Sequence, residues 1–417
     1  MTSLFSTNTF RVNNPAALNE GCGKCRLHQT CDHPKMGVWG EGKSGLMFIT
    51  SHPDAEDDDS GAIYSGARGD LLRHTLRKLG CDVERDCCIA YAVSCKPERG
   101  RPNGLQINYC RPRLWKEITQ RKPKVIATLS MEGLEALIGH RWHQKKDSDD
   151  KDVGYTRWMG YSIPDRLTKS WIVPVYSPTD VLRQRDRIPA AQLLFRERLE
   201  ECIRLLHEPL PKYREESECV EVVTDVDRAV QLLKNVYETN SWITIDYETT
   251  GLKPYRPEQK IYYVGIGVND NFAFCFPIID LKFRPALRWY KKILVDARIG
   301  KVAHNMSFED LWTREKLGVQ INGWDMDTMS AAHIDNQASS TAGLKFQAYV
   351  RLGLIDYSSH ISPYLKEPLN SNEEEMGANK LNRISQAPPR EVMKYCAIDC
   401  LCTYRLAKLF PEMGVAL

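Results

Sequence analysis

No stretch of this chain approaches the roughly 20 consecutive apolar residues that a membrane-spanning helix requires. The first residues, Met1-Thr2-Ser3-Leu4-Phe5, also lack the apolar core of a secretory leader. A membrane role is therefore not expected, and the cytoplasm is the expected compartment. Charge of one sign is lacking too: 57 Lys and Arg oppose 54 Asp and Glu, for a net charge of +3. So small an excess argues for no polyanionic partner by itself, and any such binding has to come from local patches. The chain has no evident internal repeat. What is present is ordinary for a globular chain of 417 residues, with 42% hydrophobic and 27% charged residues, enough for two or three cores. The exception is cysteine. Fourteen are many for a reducing compartment, where disulfides are rare and clustered thiols point to metal or redox chemistry.

A break falls at His207–Glu218, which is charged, carries two prolines and has no apolar periodicity. It divides the chain into expected domains 1–210 and 219–417. Upstream, apolar runs at Gly45–Thr50, Ile89–Val93, Lys124–Leu129 and Trp171–Tyr176 alternate with helical patterns at Leu71–Leu79, Arg113–Ile118 and Ala190–Leu206, an α/β arrangement. Gln144–Lys151 reads as an exposed loop of mixed charge. Downstream, Trp242–Tyr247, Tyr262–Val268 and Phe272–Phe276 read as a strand meander, followed by a helix at Pro285–Val295 and a short strand at Val302–His304. Ser362–Pro389 reads as a long insertion before the last helix.

Chemistry concentrates in three strings of the second half. Asp246-Tyr247-Glu248 closes an alternating apolar run, and side chains two apart on a strand share a face. Tyr395 and Asp399 are spaced i, i+4 on a helix, so they share a face as well. Asn305, Glu309 and Asp310 lie between. Converging carboxylates repel unless a cation sits among them, and Mg²⁺ or Mn²⁺ prefers oxygen ligands. Two such ions about 4 Å apart stabilise the attacking and leaving oxygens of a phosphodiester. The pattern points to a nuclease. Each string alone is more often a solvated strand end or helix face; their order and context carry the argument.

Ile245–Leu252, Ala303–Asp310 and Lys394–Asp399, with Asp327-Thr328-Met329 and Gly343-Leu344-Lys345 between them, resemble the 3′–5′ proofreading exonucleases of family A DNA polymerases. That family's pattern is Asp-x-Glu, Asn-x-x-x-Asp and Tyr-x-x-x-Asp. The resemblance implies a ribonuclease H-like fold in which Asp246, Glu248, Glu309 and Asp399 hold two Mg²⁺ or Mn²⁺ and Tyr395 orients the attacking water. It also implies that Asn305, Leu252 and Phe308 contact the DNA end, and that 5′ nucleoside monophosphates are released. The departure is Glu309, where the family has Asp; Glu309 is the first choice of ligand and Asp310 the reserve. No polymerase signature follows the third string, so the expected partner is a separately encoded polymerase, as in a phage-type replication protein acting in a bacterial or phage-infected cytoplasm. The expected substrate is single-stranded DNA or a primer 3′ end, with RNA left open.

In the first half, Cys22-Gly23-Lys24-Cys25 is followed by Cys95-Lys96-Pro97 and Cys110-Arg111-Pro112. Four thiolates hold Zn²⁺ or a 4Fe–4S cluster, and spacing does not separate the two. Residues 20–205 resemble the iron–sulfur uracil-DNA glycosylases, an α/β/α sandwich. The resemblance favours 4Fe–4S on Cys22, Cys25, Cys95 and Cys110, with Cys31 as the substitute ligand and Cys87 and Cys88 in the core. The glycosylase groups themselves are altered. Thr50-Ser51-His52-Pro53-Asp54 stands for Gly-Glu-Ala-Pro-Gly, Tyr91 for the uracil-reading Asn, and Ser177 for the catalytic His, while Tyr64 keeps the base-stacking position. Excision needs contacts to the flipped base and support for developing charge, so loss of that activity is expected. What would remain is a DNA platform, with Lys96, Arg101 and Arg111 foremost among Arg99, Arg113 and Lys116 as phosphate contacts. Two other readings stay open: a bifunctional uracil-repair enzyme, and a non-catalytic replisome adaptor.

Overall fold

The computed structural model describes residues 22–142, 154–184, 190–365 and 381–412. The expected loop at Gln144–Lys151 lies outside them, as do residues 366–380 of the expected insertion. The chain forms two compact units: Met1–Pro211 with Tyr349–Ile355, and Lys212–Ala348 with Asp356–Leu417. Among the described residues no helix is long and apolar enough to cross a membrane.

The first unit is built on β1 (Leu46–Thr50), β2 (Cys87–Tyr91), β3 (Val125–Thr128), β4 (Ile163–Asp165) and β5 (Ser170–Pro174), in the order β2-β1-β3-β5-β4. All neighbours are parallel except β4 and β5. Strands β1, β2 and β3 are buried at every residue, which is why they read as unbroken apolar runs: parallel strands are covered on both faces. Helices Gly66–Lys78, Met131–Ile138 and Ala190–Leu205 belong to this unit. The helix Gly104–Arg121 starts well before the stretch legible in the sequence. An Asn103–Gln106 capping box opens it, and Pro112 inside it had masked the periodicity. Cys87 and Cys88 are buried as expected.

The second unit is built on β6 (Val220–Val222), β7 (Trp242–Thr249), β8 (Ile261–Asn269), β9 (Phe272–Pro277), β10 (Gly300–Ala303) and β11 (Trp324–Asp327), in the order β11-β10-β7-β8-β9-β6. Strands β7, β8 and β9 form the expected antiparallel meander, while β10 and β11 extend the sheet in parallel. Ile243, Ile245 and Tyr247 of β7 enter a core with Phe274, Tyr290 and Trp312. Thr244, Asp246 and Glu248 alternate to the other face, and the Thr244 hydroxyl donates to the Cys400 carbonyl of the last helix, Pro389–Glu412, at 2.8 Å. Glycine makes this close approach possible. A Cβ at Gly265 would lie 2.7 and 2.8 Å from the Cys400 and Cys396 sulfurs, and one at Gly267 would lie 2.1 Å from the Thr244 hydroxyl. The last helix therefore presses onto the sheet where Asp246 pairs with Gly265. Sequence reading missed the helix Val226–Thr239, although Asp225 caps it by accepting from the Arg228 amide at 2.8 Å.

Candidate functional site

Strand β7 delivers Asp246 and Glu248 from one face, as their two-residue spacing requires. The last helix brings Tyr395 and Asp399 alongside. The helix Met306–Trp312 supplies Glu309. Its start is fixed by Asn305, whose backbone is left-handed at φ 80 and whose amide donates to Asp327 at 2.9 Å. Asp327 also caps the helix Thr328–Asp335 through the Met329 amide at 2.9 Å, so one carboxylate ties two helix starts together.

Glu248, Glu309 and Asp399 are all buried, and among the described residues Glu309 Oε2 has no hydrogen-bond partner. Burial, reinforced by the charges of Cys396, Asp399, Glu248 and Glu309, pushes the Asp246 carboxyl well above the usual carboxylate range. Glu248 rises for the same reasons, with Lys345 opposing. Burial raises Glu309 too, helped by Asp327 and Cys396. Asp310 is placed differently: it pairs with Arg314 at 2.7 Å and meets the Trp324 indole N–H at 3.4 Å. The geometry thus brings Glu309, not Asp310, to the other carboxylates.

Three participants were not named as site residues from sequence. Lys345 binds Asp399, with its ammonium 4.3 and 4.2 Å from the Tyr357 and Tyr395 ring centres. Tyr357 donates to Asp399 at 2.5 Å. Cys396 lies against Asp246 and Glu248. The Leu-Lys landmark was the only signal for Lys345; Tyr357 sits in no recognisable string. Three buried carboxylates and the half-buried Asp246, with one unpartnered oxygen among the described residues, form a donor set that fits hard divalent cations. Leu252 is 61% exposed beyond a turn closed by the Thr249 hydroxyl on the Gly251 carbonyl at 2.7 Å. Phe308 is half-buried against Trp312.

In the first unit, the thiols gather as a set. Cys110 is raised by burial and by the nearby Cys25 and Cys22; Cys95 is pushed up to about 12 by burial, Cys31 and Cys110. Thiols close enough for Cys95 and Cys110 to feel their neighbours' charge fit a shared cationic centre better than isolated core positions. Asp58, fully buried, accepts from the His33 amide at 2.9 Å and from Lys96 at 2.9 Å, tying the Cys31 loop to the Cys95 loop.

The basic residues need correction. Arg111 is buried, and its guanidinium donates to the Ala136 and Glu135 carbonyls at 3.1 Å each. It is a structural arginine with no reach to a phosphate. Lys96 is committed to Asp58. Arg101 stays exposed, with Glu132 at 3.7 Å.

Arg101 and Glu132 border a cavity of about 470 Å³ that His52, Tyr64 and Ser177 also line. Tyr91 is buried; its hydroxyl donates to Asp57 at 2.5 Å and accepts from the Tyr64 amide at 2.8 Å. Both of its hydrogen-bonding functions are therefore spent inside the protein.

Comparison with known proteins agrees with these two architectures. The uracil DNA glycosylase superfamily model matches residues 38–215, and the 3′-5′ exonuclease model matches residues 220–414. A type-4 uracil-DNA glycosylase from Pyrobaculum aerophilum is 37% identical over 175 residues, 40% of this chain and 82% of that protein. A DNA polymerase from Bacillus phage SP01 is 24% identical over 406 residues, 89% of this chain but 40% of the polymerase. Among solved structures, Brucella melitensis NrnC aligns over 46% of this chain and 78% of its own at 20% identity, with a TM-score of 0.31.

Proposed function

Since the chain belongs to the uracil-DNA glycosylase superfamily through its first unit and carries a 3′–5′ exonuclease domain in its second, we propose that it trims DNA 3′ ends beside a DNA polymerase, releasing 5′ nucleoside monophosphates. The observation that carries this reading is the convergence of Asp246, Glu248, Glu309 and Asp399 with an unpartnered Glu309 oxygen among them. When bound, two divalent cations would supply Lewis acidity to the attacking water and the leaving 3′ oxygen. The protein does the rest. The four carboxylates would hold the ions, and Tyr395, beside Asp399, would orient the water. Lys345 partly offsets the acidic charge next to Asp399, and Leu252 and Phe308 would separate the terminal bases. Similarity to a phage polymerase over 89% of this chain supports the polymerase association. A mismatched primer end, already frayed, should be trimmed faster than a paired one; equal rates on both would argue against proofreading.

For the first unit the proposal is an iron–sulfur DNA platform without base excision. Cys22, Cys25, Cys95 and Cys110 would hold a 4Fe–4S cluster, which supplies a fixed cross-link between distant loops. Tyr91 and Ser177 at the uracil-reading and catalytic positions support the loss of excision, because neither the tied Tyr91 hydroxyl nor Ser177 can replace the original groups. Arg101 at the cavity edge, with the exposed Arg99 and Lys116, would supply the phosphate contacts.

The raised carboxyls give a pH dependence whose sign is fixed. In the metal-free fold they hold protons that the unfolded chain would release above the usual carboxylate range. The fold therefore binds more protons, and its stability falls as pH rises through that interval. The carboxylates would have to give up those protons to hold a divalent cation. The rise in melting temperature caused by saturating Mn²⁺ should accordingly be larger at about pH 8 than at about pH 5.5. A pH-independent rise would contradict carboxylate binding at this site.

A further inference from the structure

Behind the exonuclease carboxylates sits a thiol that hydrolysis does not use. Cys396 follows Tyr395 on the last helix and is fully buried. Its sulfur and one carboxylate oxygen each of Asp246 and Glu248 all lie within 4.8 Å of one another. The same sulfur lies 3.7 Å from the Asp246 carbonyl. On its other side Cys275 of β9 and Cys400, one helical turn on, are within hydrogen-bond reach. Gly265 supplies the space this grouping needs, since any side chain there would strike two of the three sulfurs. Close by, Glu309 Oε2 is buried without a partner among the described residues. Carboxylates alone suit Mg²⁺ or Mn²⁺. A thiolate in contact with them changes the preference, because soft sulfur ligands select zinc-like ions, and such ions bind mixed donor sets more tightly than Mg²⁺ or Mn²⁺.

We propose that Asp246, Glu248 and Cys396 form a binding site for a thiophilic divalent cation, zinc or cadmium, whose occupancy displaces the hard ions and stops hydrolysis. Binding takes Cys396 as the thiolate and Asp246 and Glu248 as carboxylates, every proton these three groups carry passing to solvent, and no electron is transferred. The proposal rests on the exonuclease reading only in that two carboxylates are shared. Nuclease activity in Mg²⁺ and soft-metal sensitivity are thereby coupled through one strand, β7.

The test is a cadmium titration of the full chain, following the ultraviolet thiolate-to-cadmium charge-transfer absorption. Wild type is compared with Cys396→Ser, Cys396→Ala and Asp246→Asn, each checked for folding by circular dichroism. Thiols of the first unit contribute equally to all four and cancel in the differences. The expected result is one further saturable cadmium–thiolate band per chain in wild type, above the first-unit signal common to all four, that both Cys396 variants lack. Asp246→Asn should weaken its apparent affinity by about tenfold or more. Identical titrations of wild type and the Cys396 variants would overturn the proposal. So would a band whose affinity ignores Asp246→Asn, since the ion would then sit on the three sulfurs alone. A Cys396-dependent band in a protein that cleaves nothing in Mg²⁺ or Mn²⁺ would uphold this ligand set while overturning the exonuclease reading.

Discussion

Asp246→Ala is expected to lower nucleotide release by about a thousandfold or more, equivalent to roughly 4 kcal/mol of transition-state stabilisation. The size follows from position. Asp246 stands where β7, the last helix and Glu309 meet, and its carboxyl feels Asp399, Glu248 and Glu309 together. Removing it takes away a ligand that no neighbour can replace. DNA binding should survive, because Leu252 and Phe308, the proposed apolar contacts, are untouched; joint loss of binding and cleavage would indicate misfolding instead. Glu309→Ala should cost nearly as much. Asp310→Ala should change the rate by less than about threefold, since Asp310 is an exposed-side partner of Arg314, a class of contact worth little. Inverting those two results would move the ligand role to Asp310. Single-turnover rates on a labelled primer separate the three variants.

Cys95→Ala is expected to give the second large effect, a colourless protein with roughly 4–5 kcal/mol less stability in its first unit. Wild type should carry iron and absorb broadly near 400 nm, roughly, as iron–sulfur thiolate centres do. Cys95 is buried, accepts from the Lys35 amide at 3.2 Å and lies beside Cys31 and Cys110. Its loss would remove both a ligand and the anchor of its loop. Cys31→Ala should keep most of the colour, because the proposed ligand set is Cys22, Cys25, Cys95 and Cys110, with Cys31 only its substitute. A colourless wild type with stoichiometric zinc would sink the cluster assignment, and retained colour in Cys95→Ala would reassign the fourth ligand.

The sheet strands were the most legible part of the sequence, for a physical reason. Parallel strands buried on both faces, such as β1 and β3, admit almost nothing but apolar residues, and β7 alternates because its two faces meet different neighbours. Helices were harder. Gly104–Arg121 hid behind Pro112, and Val226–Thr239 went unread despite its Asp225 cap. Asp246, Glu248, Glu309, Tyr395 and Asp399 were legible because short strings with fixed spacing carry them. Lys345, Tyr357 and Cys396 were not, because their roles come from the approach of segments distant in sequence that only folding creates. Arg111 shows the converse failure. In sequence it is one basic residue in a basic stretch; in the fold, backbone carbonyls claim its guanidinium. Charge counted along a chain says nothing about which cations remain free to meet a phosphate.

The most direct test of the central claim is cleavage of 5′-labelled single-stranded DNA in Mg²⁺ or Mn²⁺ by wild type and by an Asp246→Ala/Glu248→Ala variant. A metal-dependent ladder shortening one nucleotide at a time from the 3′ end, absent with the variant, is the predicted result. Intact DNA in every metal, or a ladder that persists in the folded variant, would contradict an exonuclease centre built on these carboxylates.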